Sequence, residues 1–189
     1  VNALSEWMEV DNCYEGKRYT MRFEKGKTVR PFKCEGDCGD RHGLYVRFMP
    51  DATIFEDTHF DYETLLKRMR EQTFLNAGVR IALRDEREES RDENGNAPEE
   101  DLMYEGGIRS FVEYLNENKH CELIHPDVIY MKAQKGDITA EVAMQYNDSY
   151  NEVIVTFANN MATVDGGTHE VGFKTALTRA INNYARSKN

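Results

Sequence analysis

No apolar run in these 189 residues approaches a membrane span. The longest, Val153 to Ala158, is far short of the ~20 residues a crossing helix needs, and no charged-then-apolar leader opens the chain. Cysteine is scarce and unevenly spaced. The four thiols, Cys13, Cys34, Cys38 and Cys121, do not form the even framework that staples small secreted domains. A soluble protein of a reducing, cytoplasmic compartment without a membrane partner is expected. Basic residues are also in the minority, 24 against 34 acids, for a formal net charge of −10. Spread evenly, that charge would exclude a nucleic-acid partner, because phosphates are bound by clustered Lys and Arg.

The charge is not even. Between Asp85 and Asp101 nine acids face only Arg87 and Arg91, a net of −7, which leaves −3 for the rest of the chain. From His169 to Asn189 the sequence holds Lys174, Arg179, Arg186 and Lys188 against Glu170 alone, a net of +3. One surface is therefore basic on an acidic protein. With 40% hydrophobic residues the chain also has enough apolar material for a core.

The opening "VNALSEW" reads as the second half of an apolar helix, so the chain is expected to be part of a longer one. Strand character follows at Trp7 to Tyr14, Lys17 to Glu24, Thr28 to Cys34 and Leu44 to Met49, with turn chemistry at "EGK" and "EKGK". This pattern predicts an antiparallel meander. From Asp61 the period becomes helical, with Leu65, Leu66, Met69, Gln72 and Leu75 on one side. Asp61 is the expected N-cap and Gly78 the residue just past the end, giving a helix over Tyr62 to Ala77.

A strand at Val79 to Arg84 leads into an exposed or disordered acidic loop at about 86–101, and the chain returns at Leu102 to Tyr104. Gly106 and Gly107 then precede a helix whose apolar face is Ile108, Phe111, Val112 and Leu115, and a domain boundary is expected there. Strands near Val128 to Lys132, Thr139 to Tyr146 and Glu152 to Ala158 come next, followed by a final helix. No internal repeat is visible.

Three stretches invite chemistry. "CEGDCGDRH" places Cys34, Cys38 and His42 at three-residue gaps, but zinc sites favour two-residue knuckles and a second ligand pair, so loop cysteines are the plainer reading. His120, Cys121 and His125 are close in sequence without an assignable acid partner, which weakens a nucleophilic Cys-His pair. "DGGTHEVG" follows a strand and opens a helix, yet it has neither phosphate-loop spacing. Its residues suit a helix start, with Gly166 and Gly167 turning the backbone, Thr168 capping and Glu170 near the positive end of the dipole. Beyond it Phe173, Leu177, Ala180, Ile181 and Tyr184 share one face, expected to be buried, while Lys174 lies beside it and Arg179 and Arg186 elsewhere.

The stretches "VNALSEW", "FDYETLLKRMREQTFLNAGVRI", "YEGGIRSFVEYLN", "EVAMQYNDSY" and "NNMATVDGGTHEVGFKTALTRAINNYAR" resemble, in order and over almost the whole chain, the ATPase subunits of bacterial type II DNA topoisomerases. That family comprises the gyrase and topoisomerase IV ATPase subunits. The resemblance implies an α+β protein in which 1–105 is the C-terminal part of a GHKL-type ATP-binding domain and 106–189 the start of a ribosomal-protein-like transducer domain. It further implies ATP with Mg²⁺ in the full subunit, and as partners DNA, a cleavage subunit of the gyrase A type and a second copy in the ATP-closed dimer. The family's catalytic Glu, metal-binding Asn and glycine-rich lid match nothing in this chain, so no catalytic residue, no bound metal and no tightly held cofactor are expected of it alone. "GLYVRF" matches "GTxVxF", which makes Val46 an adenine-pocket wall and puts Leu44 where the family has a hydrogen-bonding Thr. Lys174 stands where the family has an Arg facing the DNA cavity, with Arg179 one turn further on. A second reading is a non-catalytic nucleic-acid or protein docking module derived from the transducer fold.

Overall fold

Two-residue turns organise the first 61 residues. Glu15 with Gly16 (φ 49° and 74°) and Lys25 with Gly26 (φ 46° and 78°) are left-handed pairs, the geometry that matches the twist of a tight hairpin. In the computed structural model, which describes residues 1–119 and 122–188, they join β1 (Ser5–Tyr14), β2 (Lys17–Glu24) and β3 (Lys27–Asp37). Chain reversal after β3 brings β4 (Gly43–Pro50) back against β1, so the antiparallel order is β3-β2-β1-β4. The expected meander is present, with β3 extending three residues beyond the predicted Cys34.

Alternation gives this sheet two unlike faces. Met8, Val10 and Asn12 of β1 share one face with their register partners Phe23, Met21 and Tyr19 of β2 and Phe48, Val46 and Leu44 of β4. Aromatic pairs mark the same face, Tyr19 stacking on Phe32 at 5.1 Å and Phe48 meeting Phe60 edge-on at 6.1 Å. The opposite face carries Trp7, Glu9 and Asp11 with Arg22, Thr20, Arg47 and Tyr45.

Contacts cluster the chain into compact units of Val1–Asp61 and Tyr62–Asn189. The division expected at 105/106 therefore falls inside the second unit. The cause is α1 (Tyr62–Leu75), which packs with β5 (Arg80–Arg84), β6 (Glu99–Met103) and α2 (Ile108–Glu117). Phe74, with 0% of its surface exposed, is the centre of that packing, and Leu66, Leu102 and Phe111 are buried around it. Its ring stacks on Tyr104 at 3.8 Å and on Phe111 at 4.8 Å, with Tyr114 tilted at 5.5 Å. Helix α1 ends two residues before the predicted Ala77, and Gly78 (φ 81°) reverses the chain as expected. Gly107 precedes α2 with φ 60° and ψ −134°, a backbone conformation that side chains rarely adopt, so the turn into the helix favours glycine.

The acidic stretch is more ordered than a disordered loop. Asp85 N–H donates to the Pro98 carbonyl at 2.9 Å, Glu88–Ser90 forms a 3-10 turn, and the Asp92 carboxylate accepts from the backbone N–H groups of Asn94 and Asn96. Asp85 itself is buried and accepts from Arg87 Nε at 2.9 Å and Nη2 at 2.6 Å. The Arg87 side chain, then Ser90, hold its carboxyl well below the usual carboxylate range. A carboxylate depressed in the folded state adds stability above its unfolded value, about pH 4, and that contribution is lost as pH falls through the lower folded value. The unfolding midpoint is expected to drop on acidification below about pH 4, and Asp85→Asn to lower the neutral-pH midpoint while flattening that acid limb. Parallel acid limbs in thermal scans of the two proteins would sink this assignment.

Past α2 come the hairpin β7 (Ile129–Lys135) and β8 (Ile138–Met144), the short pair β9 (Phe157–Ala158) and β10 (Met161–Ala162), and α3 (Thr168–Lys188). Of the strand expected over Glu152 to Ala158, only its last two residues pair. Val153, Ile154 and Val155 stand exposed, because no described strand lies alongside them.

Candidate functional site

In the first unit the candidate residues lie on β4. Leu44 is opposite Asn12 and Val46 opposite Val10, both on the apolar sheet face, with exposures of 66% and 45%. They form an open apolar wall. Leu44 brings no hydroxyl to it, and a polar side chain beside it on this face is Asn12, its register partner.

The reverse of the sheet carries a charged network that no sequence motif marks, although strand alternation puts its members on one face. Glu9 accepts from Arg22 Nη1 and Arg47 Nη2, each at 2.6 Å, and Arg30 approaches it at 3.8 Å. Both Arg22 and Arg47 lie over the Trp7 ring, 5.4 and 5.6 Å from its centroid. Arg47 first, then Arg22, hold the Glu9 carboxyl below its usual range. Beside them Arg18 pairs with Asp11, and Glu9, Asp11, Arg18, Arg30 and Arg47 line a cleft of about 640 Å³.

"CEGDCGDRH" does not assemble a metal centre, and no group of three or more His, Cys, Asp or Glu with ligand geometry occurs among the described residues. Extension of β3 is the reason. Cys34 is exposed in the strand opposite Tyr19, whereas Cys38 is buried in the following turn and His42 is exposed. His120 and Cys121 lie outside the described residues. His125 is engaged by backbone, its Nδ1 donating to the Asp127 carbonyl at 2.8 Å and its Nε2 accepting from Tyr146 N–H at 3.0 Å.

In the second unit "DGGTH" makes the entrance of α3. Gly166 takes φ 74° and its N–H donates to the Thr163 carbonyl at 2.9 Å. The Glu170 and Val171 N–H groups donate to the Gly167 carbonyl at 3.1 and 3.2 Å, so Gly167 flanks the helix and Thr168 is its first residue, not its cap. The His169 ring folds back to Thr163 Oγ1 at 3.2 Å, over a spot where a β-carbon on Gly167 would come within 2.6 Å of the imidazole. A side chain at 167 would displace that ring. Thr163 in turn meets Thr156 Oγ1 at 2.5 Å, which fixes the β9–β10 hairpin to the helix start. These contacts are structural and hold no phosphate-loop geometry.

Lys174 is not a bare charge. Its ammonium donates to Glu152 Oε1 at 2.9 Å and sits 3.1 Å from Glu170 Oε1, one turn earlier. Glu152 first, then Glu170, raise its pKa. One cation between two anions carries a local −1. Arg179 is exposed and makes no ion pair among the described residues. Phe173 and Leu177 are half-buried, but Ile181 is 52% and Tyr184 66% exposed and no residue of the helix is buried, so the expected burial of this face is overturned. Every residue of its last three turns is exposed.

Known proteins share the fold. Residues 107–189 match the family model of DNA gyrase B. The DNA gyrase B chain of Clostridium acetobutylicum is 49% identical over 187 residues, covering 98% of this chain and 28% of the relative. The DNA topoisomerase 4 B chain of Enterococcus faecalis is 48% identical over 188 residues, covering 98% and 26%. Among solved structures, the 43K ATPase domain of Thermus thermophilus gyrase B, in complex with an aminocoumarin, superposes with a TM-score of 0.81 at 33% identity, covering 99% of this chain and 49% of that one. The chain is a mixed α+β member of the bacterial type II DNA topoisomerase ATPase subunits. Within that family it is similar to DNA gyrase B and to DNA topoisomerase 4 B alike, and it spans 28% of the first of those relatives and 26% of the second.

Proposed function

We propose that this chain is the part of a gyrase B-type subunit that links the nucleotide-binding sheet to the duplex-passage machinery. The supporting observation is 49% identity to a DNA gyrase B over 98% of the chain. ATP with Mg²⁺ supplies the hydrolytic chemistry of the full subunit. Of that group, β4 fits one part: Val46 and Leu44 offer an apolar wall for a flat adenine ring, and they exclude water from its edge. Residues for phosphate and Mg²⁺ are not assigned in this chain, so by itself it is expected to be inactive in ATP turnover. The division into 1–105 and 106–189 is kept as functional, and the family match that starts at residue 107 supports it.

Lys174 and Arg179 on α3 face duplex DNA in this reading. Dispersed, partly neutralised cations attract phosphates without holding them, which suits a duplex that must pass. The partners are DNA, a gyrase A-type cleavage subunit and a second copy of the gyrase B-type subunit. The setting is cytoplasmic, consistent with no described helix being long and apolar enough to cross a membrane.

The full subunit carrying this chain, mixed with a gyrase A-type subunit, ATP and relaxed plasmid, is expected to introduce negative supercoils. The 48% identity to a topoisomerase 4 relative favours a second reading, decatenation. Unlinking of catenated circles without supercoiling would select it, and neither activity would sink both.

A further inference from the structure

The sequence places Cys13 in β1 and Cys38 in the turn after β3, 25 positions apart. Strand register brings them to one end of the sheet. Cys13 pairs with Arg18 of β2 and with Gly43, the first residue of β4. The Cys38 N–H donates to the Gly16 carbonyl at 2.8 Å, which seats the turn on the β1–β2 hairpin beside Cys13. There Cys38 is 6% exposed, its Sγ approaches the Arg41 carbonyl at 3.6 Å, its own carbonyl accepts from Arg41 Nε at 3.4 Å, and Cys13 is the neighbouring side chain that acts most on its thiol. Both are reduced, and Cys34, which sequence spacing groups with Cys38, is exposed and apart from this contact.

We infer that Cys13 and Cys38 form a peroxide-responsive dithiol that closes into a disulfide and ties the β3–β4 turn to the end of β1. The two thiols have unequal roles. Burial pushes the Cys38 thiol up, so it keeps its proton, while Cys13 is the less buried of the two and the one peroxide reaches first. Cys13 thiolate attacks hydrogen peroxide, an S–O bond forms as the O–O bond breaks, and hydroxide leaves as water after taking a proton. Cys38 sulfur then attacks the Cys13 sulfenic sulfur. The S–S bond forms, the S–O bond breaks, and the departing hydroxide takes the Cys38 proton as a second water. Two thiols and one peroxide thus give one disulfide and two waters, and a small-molecule thiol reverses the change. Since Asn12 and Cys13 pair with Leu44 and Gly43, the bridge restrains the strand entrance that carries the proposed adenine wall.

The test treats the reduced chain with one equivalent of hydrogen peroxide, blocks remaining thiols, and maps peptides by mass spectrometry without reduction. The expected product is a Cys13–Cys38 linked pair, about 2 Da lighter than the two reduced peptides and lost on treatment with dithiothreitol. It persists in Cys34→Ser and Cys121→Ser and is absent in Cys13→Ser, whose half-buried position makes it the safer variant to fold. On bridging, amide exchange over 39–44 slows severalfold. A bridge through Cys34 or Cys121, Cys13 driven to sulfinic acid while Cys38 stays a free thiol, or unchanged exchange in the turn would each overturn the inference.

Discussion

Phe74→Ala is expected to cost about 3–5 kcal/mol of unfolding free energy, the range for deleting a fully buried aromatic ring. Phe74 is 0% exposed and touches three further rings, so its loss removes the transfer gain and three ring contacts worth about 0.5–1.5 kcal/mol each beyond area burial. The surroundings have little freedom to collapse into the void. Arg70 on the same helix donates to Tyr114 Oη at 3.0 Å and lies over its ring, and the Gly78 N–H bonds the Tyr104 carbonyl, so two of the stacking partners are anchored elsewhere. Phe74→Leu keeps an apolar filler and is expected to lose less than half as much. Urea unfolding followed by near-ultraviolet circular dichroism measures both. A loss below about 1 kcal/mol for the alanine variant would place the core elsewhere. A double cycle with Phe111→Ala is expected to show coupling, since adjacent rings in one stack are not independent.

That stack shows what sequence can and cannot give. Helical period picks out Leu66 and Leu75 on α1 and Phe111 on α2, and the turn signals "EGK" and "EKGK" fix the β1–β2 hairpin to the residue and the start of β3 to within one, because left-handed two-residue turns demand such side chains. Phe74 lies off the predicted stripe, and its partner Tyr104 is 30 positions away, so only the tertiary fold brings them together. Exposure departs from expectation in the other direction. The faces bearing Leu44 and Val46 on β4 and Ile181 and Tyr184 on α3 have apolar patterns that promise burial, yet a pattern states which side seeks a neighbour and not whether these 189 residues supply it. The same limit applies to chemistry. Spacing groups Cys38 with Cys34 and His42, whereas the turn after β3 seats it on the β1–β2 hairpin that carries Cys13, and Lys174 acquires Glu152 from 22 positions earlier.

Lys174→Glu in the full subunit is expected to depress strand passage on the order of tenfold at limiting DNA while leaving ATP turnover within about twofold. The structure sharpens the reason. Lys174 is already shared between Glu152 at 2.9 Å and Glu170 at 3.1 Å, so the substitution does not merely delete a cation. It gathers three carboxylates and takes the local charge from −1 to −3. All three side chains retain solvent contact, so the repulsion acts through a high dielectric and is screened by salt, and the folded state survives it. A duplex close to this helix would meet it directly, because each phosphate repelled raises the barrier to passage. Lys174→Gln separates the two effects. It removes the cation and leaves −2, and its expected loss is intermediate. Raising ionic strength to about 0.3 M should shrink the difference between the Glu variant and the parent, since the Debye length falls to roughly 6 Å. Supercoiling and ATPase assays on the same preparations give both quantities. Equal loss of passage and turnover would show that Lys174 acts only as the cross-link between α3 and Glu152, and a passage defect indifferent to salt would remove the duplex from its vicinity.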